Sequence, residues 1–144
     1  MSYTAMDRFR DCLKGEPRDR VPIFPMCAGW VAAHFSEHSL PKVASDPKLI
    51  ADAQIKAIET LGHDALYSYV DPLYIPEAFG CKVRYLMTGP IVDPLPVKIK
   101  KPADIDQIPR PDATAEGRLP VIREAVKGLA TYGGGNLPVI GLFE

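Results

Sequence analysis

The sequence predicts an α/β fold in which a parallel sheet is covered by helices. Three observations carry this. Short, almost wholly apolar segments at 21–26, 65–70 and 138–143 lack polar alternation, as strands buried on both faces do. Between them, apolar residues recur at helical spacing, as in Ala51, Ile55, Ile58 and Leu61, and again in Leu119, Ile122, Val126 and Leu129. The 15 prolines gather at junctions rather than inside the periodic segments, which is how many short elements joined by tight loops are punctuated.

The elements follow in order. Thr4 and Asp7 read as a capping box, Met6, Phe9 and Leu13 form one apolar face, and Gly15 is a stop, so a helix is expected over 5–14. Arg18-Asp19-Arg20 is a polar loop before a short first strand at 21–26, which Pro22 and Pro25 interrupt. Residues 27–40 show weak periodicity and read as a long loop with one helical turn around Trp30 and Phe35. Asp46-Pro47 is the strongest helix start in the chain, an N-cap followed by proline at the first helical position, and Gly62 ends that helix, giving 47–61. The second strand, 65–70, follows at once.

Residues 82–87 and 91–92, around Thr88-Gly89-Pro90, suggest a hairpin excursion. Pro94, Pro96, Pro102, Pro109 and Pro111 mark an irregular connection with a short helix near 103–107. A last helix is expected over 116–132, broken by the glycines before Asn136, and the third strand at 138–143 follows.

Composition narrows the function classes. A chain of 144 residues, 47% apolar and 24% charged, has the size and make-up of one globular domain. A net charge of −1 leaves no electrostatic footprint for nucleic acid, and Lys98, Lys100 and Lys101 read as a solvated strand edge. No apolar run approaches the roughly 20 residues that span a bilayer, and the charged N-terminus is no signal peptide. Cys12, Cys27 and Cys81 are odd in number, widely spaced and without a CxxC, which favours reduced thiols and a cytoplasmic location.

Asp71 is the leading chemical candidate. It ends the apolar run 65–70, where a charge is costly unless it has a partner or a task. Spacing alone leaves two readings open: an N-cap for a turn that starts at Pro72, or a functional carboxylate at the end of a buried strand. Tyr67 and Tyr69 alternate onto the same side of the strand as Asp71 and are expected to line a cleft or to pack the interior. Cys27, His34 and His38 invite a metal reading, but no HExxH pattern is present and the spacing is not that of a closed tetrahedral site. Two exposed loop histidines are the expectation, with no metal ligand in this segment.

The stretch from Asp64 to Val83, with its Asp-Ala pair, apolar strand, Asp71 and a following Pro76-Glu77-Ala78-Phe79-Gly80 run, resembles the second βα segment of uroporphyrinogen decarboxylases. Met6-Asp7-Arg8-Phe9, Leu13-Lys14-Gly15-Glu16-Pro17 and Asp19-Arg20-Val21-Pro22 look like that family's first helix and first strand, and Pro138 to Phe143 like its third strand. The resemblance implies the first three βα units of a (β/α)8 TIM barrel with a hairpin excursion. A barrel needs eight strands and about 250 residues, so 1–144 is expected to be the N-terminal portion, with the remainder absent. Uncovered strand edges then favour self-association. A non-catalytic binding or oligomerisation fragment is the alternative class, although no heptads or basic arm speak for it.

By the same resemblance Asp71 matches the family's catalytic aspartate, which faces pyrrole N–H groups of a cofactor-free decarboxylation. The resemblance fails at one place. Decarboxylases carry a Met-Arg-Gln-Ala-Gly-Arg-Tyr loop after the first strand, whose arginines grip substrate carboxylates. Here the loop is Met26-Cys27-Ala28-Gly29-Trp30-Val31, with both arginines gone. Met26, Cys27, Gly29 and Trp30 are therefore expected to face a small or uncharged substrate. That favours the superfamily's corrinoid-dependent methyltransferases, which move a methyl group to a thiol or similar acceptor. Their zinc would lie in the missing half and their corrinoid on a partner protein. Uroporphyrinogen decarboxylation in porphyrin biosynthesis is the alternative.

Overall fold

A computed structural model describes residues 3–26, 28–68, 71–86, 89–93 and 99–141. Among them the fold is mixed α/β. In chain order it runs α1 (Ala5–Lys14), α2 (Ala28–Phe35), α3 (Leu40–Ala44), α4 (Pro47–Leu61), β1 (Leu66–Tyr67), α5 (Tyr74–Ala78), β2 (Val83–Leu86), β3 (Gly89–Val92), a 3-10 turn (Pro102–Gln107), α6 (Leu119–Gly133) and β4 (Val139–Ile140).

The helix ends follow local chemistry. The Thr4 hydroxyl accepts the Asp7 amide at 3.1 Å and the Asp7 carboxylate accepts the Thr4 amide at 2.9 Å, the reciprocal cap expected for α1. Asp46 Oδ1 accepts the Lys48 and Leu49 amides, and Pro47 opens α4. Gly62 closes it at φ +68°, a left-handed conformation that a side chain resists.

β1 and β4 pair in parallel, Leu66 opposite Val139 and Tyr67 opposite Ile140. The pairing is tight at Leu66, whose amide donates to the Pro138 carbonyl at 2.9 Å. β2 and β3 form the expected antiparallel hairpin, with Val83 opposite Val92. The core is organised around α4. Ala53 and Ala57 pack with Val31 of α2, while Ala51 and Ile58 pack with Leu66 and Leu129 of α6. Small residues let the helices approach, and a Cβ at Gly128 would lie 3.6 Å from that of Ala51. Fully burying side chains such as Leu66 and Leu129 contributes about 2 kcal/mol each.

Four expectations need correction. Residues 21–26 form no strand. Pro22 and Pro25 have no N–H to give a ladder, so the segment stays extended and holds on through Ile23, whose amide donates to Asp64 Oδ2 at 2.7 Å and whose carbonyl accepts the Asp64 amide. The loop expected over 27–40 is shorter than predicted: the one turn expected around Trp30 and Phe35 is the full helix α2, and α3 begins at Leu40, both stabilised by packing on α4 that weak local periodicity does not reveal. The last helix begins at Leu119 rather than near 116, because Gly117 sits at φ +52°. The described parallel sheet has two strands, and these are shorter than predicted; positions 69–70 and 142–143 lie outside the described residues.

Candidate functional site

β1 carries a buried carboxylate beyond each of its ends. Asp64 and Asp71 are 2% and 3% exposed. Neither can be desolvated as an anion without close partners, and each recruits an arginine distant in sequence.

At the N-terminal end, Asp64 takes both forks of Arg20, Arg8 Nη1 at 3.1 Å and the Ile23 amide. Burial opposes its charge, but these donors hold the carboxyl below its usual range. This group clamps α1 and the extended segment to β1. In α/β architectures that end of a strand serves stability rather than chemistry.

Beyond the C-terminal end lies Asp71. Its Oδ2 accepts Arg118 Nη1 at 2.5 Å and the Tyr85 hydroxyl at 3.0 Å. Its Oδ1 accepts Arg118 Nη2 at 3.0 Å and the Leu73 amide at 2.9 Å. Arg118 also gives Nε to Glu77 Oε2 at 2.5 Å. Each residue arrives from a different element: Glu77 from α5, Tyr85 from β2 and Arg118 from the residue before α6. Burial pushes the Asp71 carboxyl up, but the Arg118 guanidinium and the Leu73 and Tyr85 donors outweigh it, so Asp71 titrates below the usual carboxylate range. Burial and the neighbouring Asp71 charge push the Tyr85 hydroxyl up. Burial works against the charge on Arg118, and the bonds to Asp71 and Glu77 more than restore it.

Asp71 is thus an anion over the working pH range, with about four acceptor positions matched by four donors. A further donor reaches it only in place of one of these. The turn-cap reading of Asp71 holds, since the Leu73 bond is the turn-capping bond that Asp71-Pro72 suggested.

The other sequence candidates are spread over neighbouring elements. Tyr67 is buried in β1, and its hydroxyl donates to the Phe24 carbonyl at 3.0 Å, tying the extended segment to the strand. Met26 is exposed at the end of that segment, and Gly29 is half-buried in the first turn of α2. Trp30 is 48% exposed and stacks on His34 with ring centroids 4.2 Å apart. Cys27 and Tyr69 lie outside the described residues. His38 is exposed in the loop before α3, as expected, its Nδ1 against Lys42 Nζ, whereas His34, also exposed, belongs to α2 rather than to a loop, its Nδ1 bonded to the Trp30 carbonyl. Among the described residues no group of three His, Cys, Asp or Glu side chains is placed to hold a metal ion.

Sequence reading missed Arg118, Glu77 and Tyr85. Only Arg118 left a signal. A cation between Gly117 and the first turn of a proline-started helix faces the positive end of the helix dipole, which is unfavourable unless the side chain is paired elsewhere.

The family model described as uroporphyrinogen decarboxylase (URO-D) matches residues 4–144. The uroporphyrinogen decarboxylase of Alkalilimnicola ehrlichii is 30% identical over 148 residues, covering 98% of this chain and 39% of that protein. That of Trichlorobacter lovleyi is 29% identical over 140 residues, covering 94% of this chain and 39% of that protein. A methyltransferase from Methanosarcina mazei shares the fold, with a TM-score of 0.78 at 24% identity over 99% of this chain and 43% of that one. The chain therefore spans 39% of the length of these two curated relatives.

Proposed function

Since the chain belongs to the uroporphyrinogen decarboxylase family, we propose that it supplies the first βα units of a TIM-barrel enzyme of that family, with Asp71 as the charged group of the active site. The favoured reaction is methyl transfer to a thiol or similar acceptor from a corrinoid carried by a partner protein. One observation carries the preference over decarboxylation: the guanidinium beside Asp71, where a polycarboxylate would need a free one, is engaged internally, since Arg118 is committed to Asp71 and Glu77. The segment leading into α2 and the first turn of that helix instead expose Phe24, Met26 and Trp30. Such a surface suits a small or apolar ligand, whereas a polycarboxylate needs fork-like donors.

The second reading is uroporphyrinogen decarboxylation, favoured by the name borne by the curated relatives at 28–30% identity. The described residues do not fit a zinc site; in the proposed enzyme its ligands come from elsewhere. What this chain contributes is a fixed negative charge at a strand end, in a site where poor solvation strengthens its interaction with any positive charge that develops. Met26, Cys27, Gly29, Trp30, Tyr67 and Tyr69 are proposed to wall the substrate.

The test uses a polypeptide of the relatives' full length that carries this segment. With a methylated corrinoid protein and a thiol acceptor, the cobalt–methyl absorbance is expected to decay as the thioether forms. Efficient conversion of uroporphyrinogen to coproporphyrinogen, without methyl transfer, would overturn the preference.

A further inference from the structure

We propose that Arg118 is the positioning residue for Asp71: its guanidinium fork, itself held by Glu77, aims the carboxylate and fixes it beyond the end of β1. The inference rests on the reading of Asp71 as the charged group of the site. It adds a residue that neither the 26–31 segment nor β1 contains.

The geometry is that of a clamp. Nη1 and Nη2 meet the two oxygens of Asp71 in a parallel pair, and Nε meets Glu77 on the remaining edge. A planar group held on two edges cannot swing, so the plane of the Asp71 carboxylate is set with it. The Tyr85 ring lies over the guanidinium, its centroid 5.6 Å from Cζ, and closes one face.

The backbone is shaped to deliver this side chain. Gly117 has φ +52°, and a Cβ there would sit 2.9 Å from the Ala78 nitrogen and 3.2 Å from the Glu77 carbonyl carbon. The loop before α6 therefore lies directly on α5, and only glycine fits both the conformation and the approach. That contact brings Arg118 within reach of Glu77 and Asp71 together. The start of α6 by itself repels a cation, so the placement of Arg118 there depends on its pairing with Asp71 and Glu77.

The test compares Arg118→Lys, Arg118→Met and Asp71→Asn. In this chain, carbon NMR follows the titration of the Asp71 carboxyl, which needs no turnover. In the full-length polypeptide, kcat and KM are measured against pH with whichever of the two substrates is turned over. Lysine keeps the charge and loses the fork. Arg118→Lys is expected to leave the acid limb of the rate profile in place, to change KM less than about twofold and to lower kcat roughly tenfold or more. Arg118→Met is expected to raise the titration of Asp71 and to carry the acid limb upward with it. Wild-type kcat in Arg118→Lys, or an unmoved Asp71 titration in Arg118→Met, overturns the proposal. If Arg118→Met does not fold, the lysine variant decides alone. Asp71→Asn separates the two levels: full activity there refutes Asp71 as the charged group of the site, while a shifted titration in Arg118→Met still shows that Arg118 holds it.

Discussion

Asp71→Asn is a test of energetics as much as of chemistry. A carboxylate placed only for reaction at a strand end would be replaceable with little loss of stability. The structure argues otherwise. Asp71 and Arg118 are 3% and 7% exposed, and four donors converge on the carboxylate. Asparagine keeps one acceptor oxygen, which can retain the Leu73 amide and one guanidinium bond. Its NH2 then faces Arg118 Nη1 and the Tyr85 hydroxyl. The hydroxyl can rotate to accept, but the guanidinium cannot. Breaking a buried pair by removing one partner costs about 3–5 kcal/mol, and Glu77 remains as a counter-ion, so we expect the lower end, about 3 kcal/mol. For a domain of this size that is roughly 10 °C in Tm.

Urea unfolding followed by circular dichroism at pH 7 measures it. The folded-state pKa of Asp71 is depressed, so its contribution is complete above the unfolded value of about 3.9 and is lost as pH falls through the folded value. The gap between wild type and variant should therefore narrow as pH falls below the unfolded value and through the folded one. A variant within about 0.5 kcal/mol of wild type at pH 7, where ordinary surface changes fall, or a gap equally large in acid, would refute the reasoning. In the full-length enzyme the same substitution is expected to lower kcat on the order of a hundredfold.

Three other outcomes are expected. Gly117→Ala meets both a left-handed backbone and the Ala78 nitrogen, so it should cost about 2 kcal/mol or more in urea unfolding; a neutral result would mean that the loop is not held against α5. His63 is buried, its Nδ1 has no partner among the described residues, and burial depresses its pKa despite the opposing charge of Asp64. Its contribution is whole above the unfolded pKa of about 6.5 and is lost as pH falls through the folded value, so His63→Gln should flatten the decline in urea midpoint between pH 7.5 and 5.5; an unchanged slope would exclude His63 as its source. Val21, Ile23, Phe24 and Met26 are 65%, 57%, 43% and 66% exposed along one extended segment, so sedimentation at high concentration should show self-association, and a clean monomer would contradict it.

Local signals proved legible where they are self-sufficient. The Thr4–Asp7 cap, the Asp46-Pro47 start and the Gly62 stop each work within a few residues, and α1 and α4 have the predicted bounds. The hairpin around Gly89 and the turn at Pro102–Gln107 are local in the same sense. Of α2 only one turn was legible and of α3 nothing, since their helicity depends on packing against Ala53, Ala57 and Ile50 of α4. The segment 21–26 has the apolarity of a strand, but Pro22 and Pro25 deny it the ladder that apolarity alone does not require.

What the sequence determined unaided was an α/β order of elements and an acid at the end of an apolar run that had to be paired or put to use. Which of these held for Asp71 was decided by tertiary structure. Its partners lie 47, 14 and 2 positions away, at Arg118, Tyr85 and Leu73. Only the last is within reach of a local pattern. The charge of Asp71 could be predicted to need company, because desolvation acts on the residue itself. The identity of that company depends on how α5, β2 and the start of α6 meet beyond β1, and packing alone sets that.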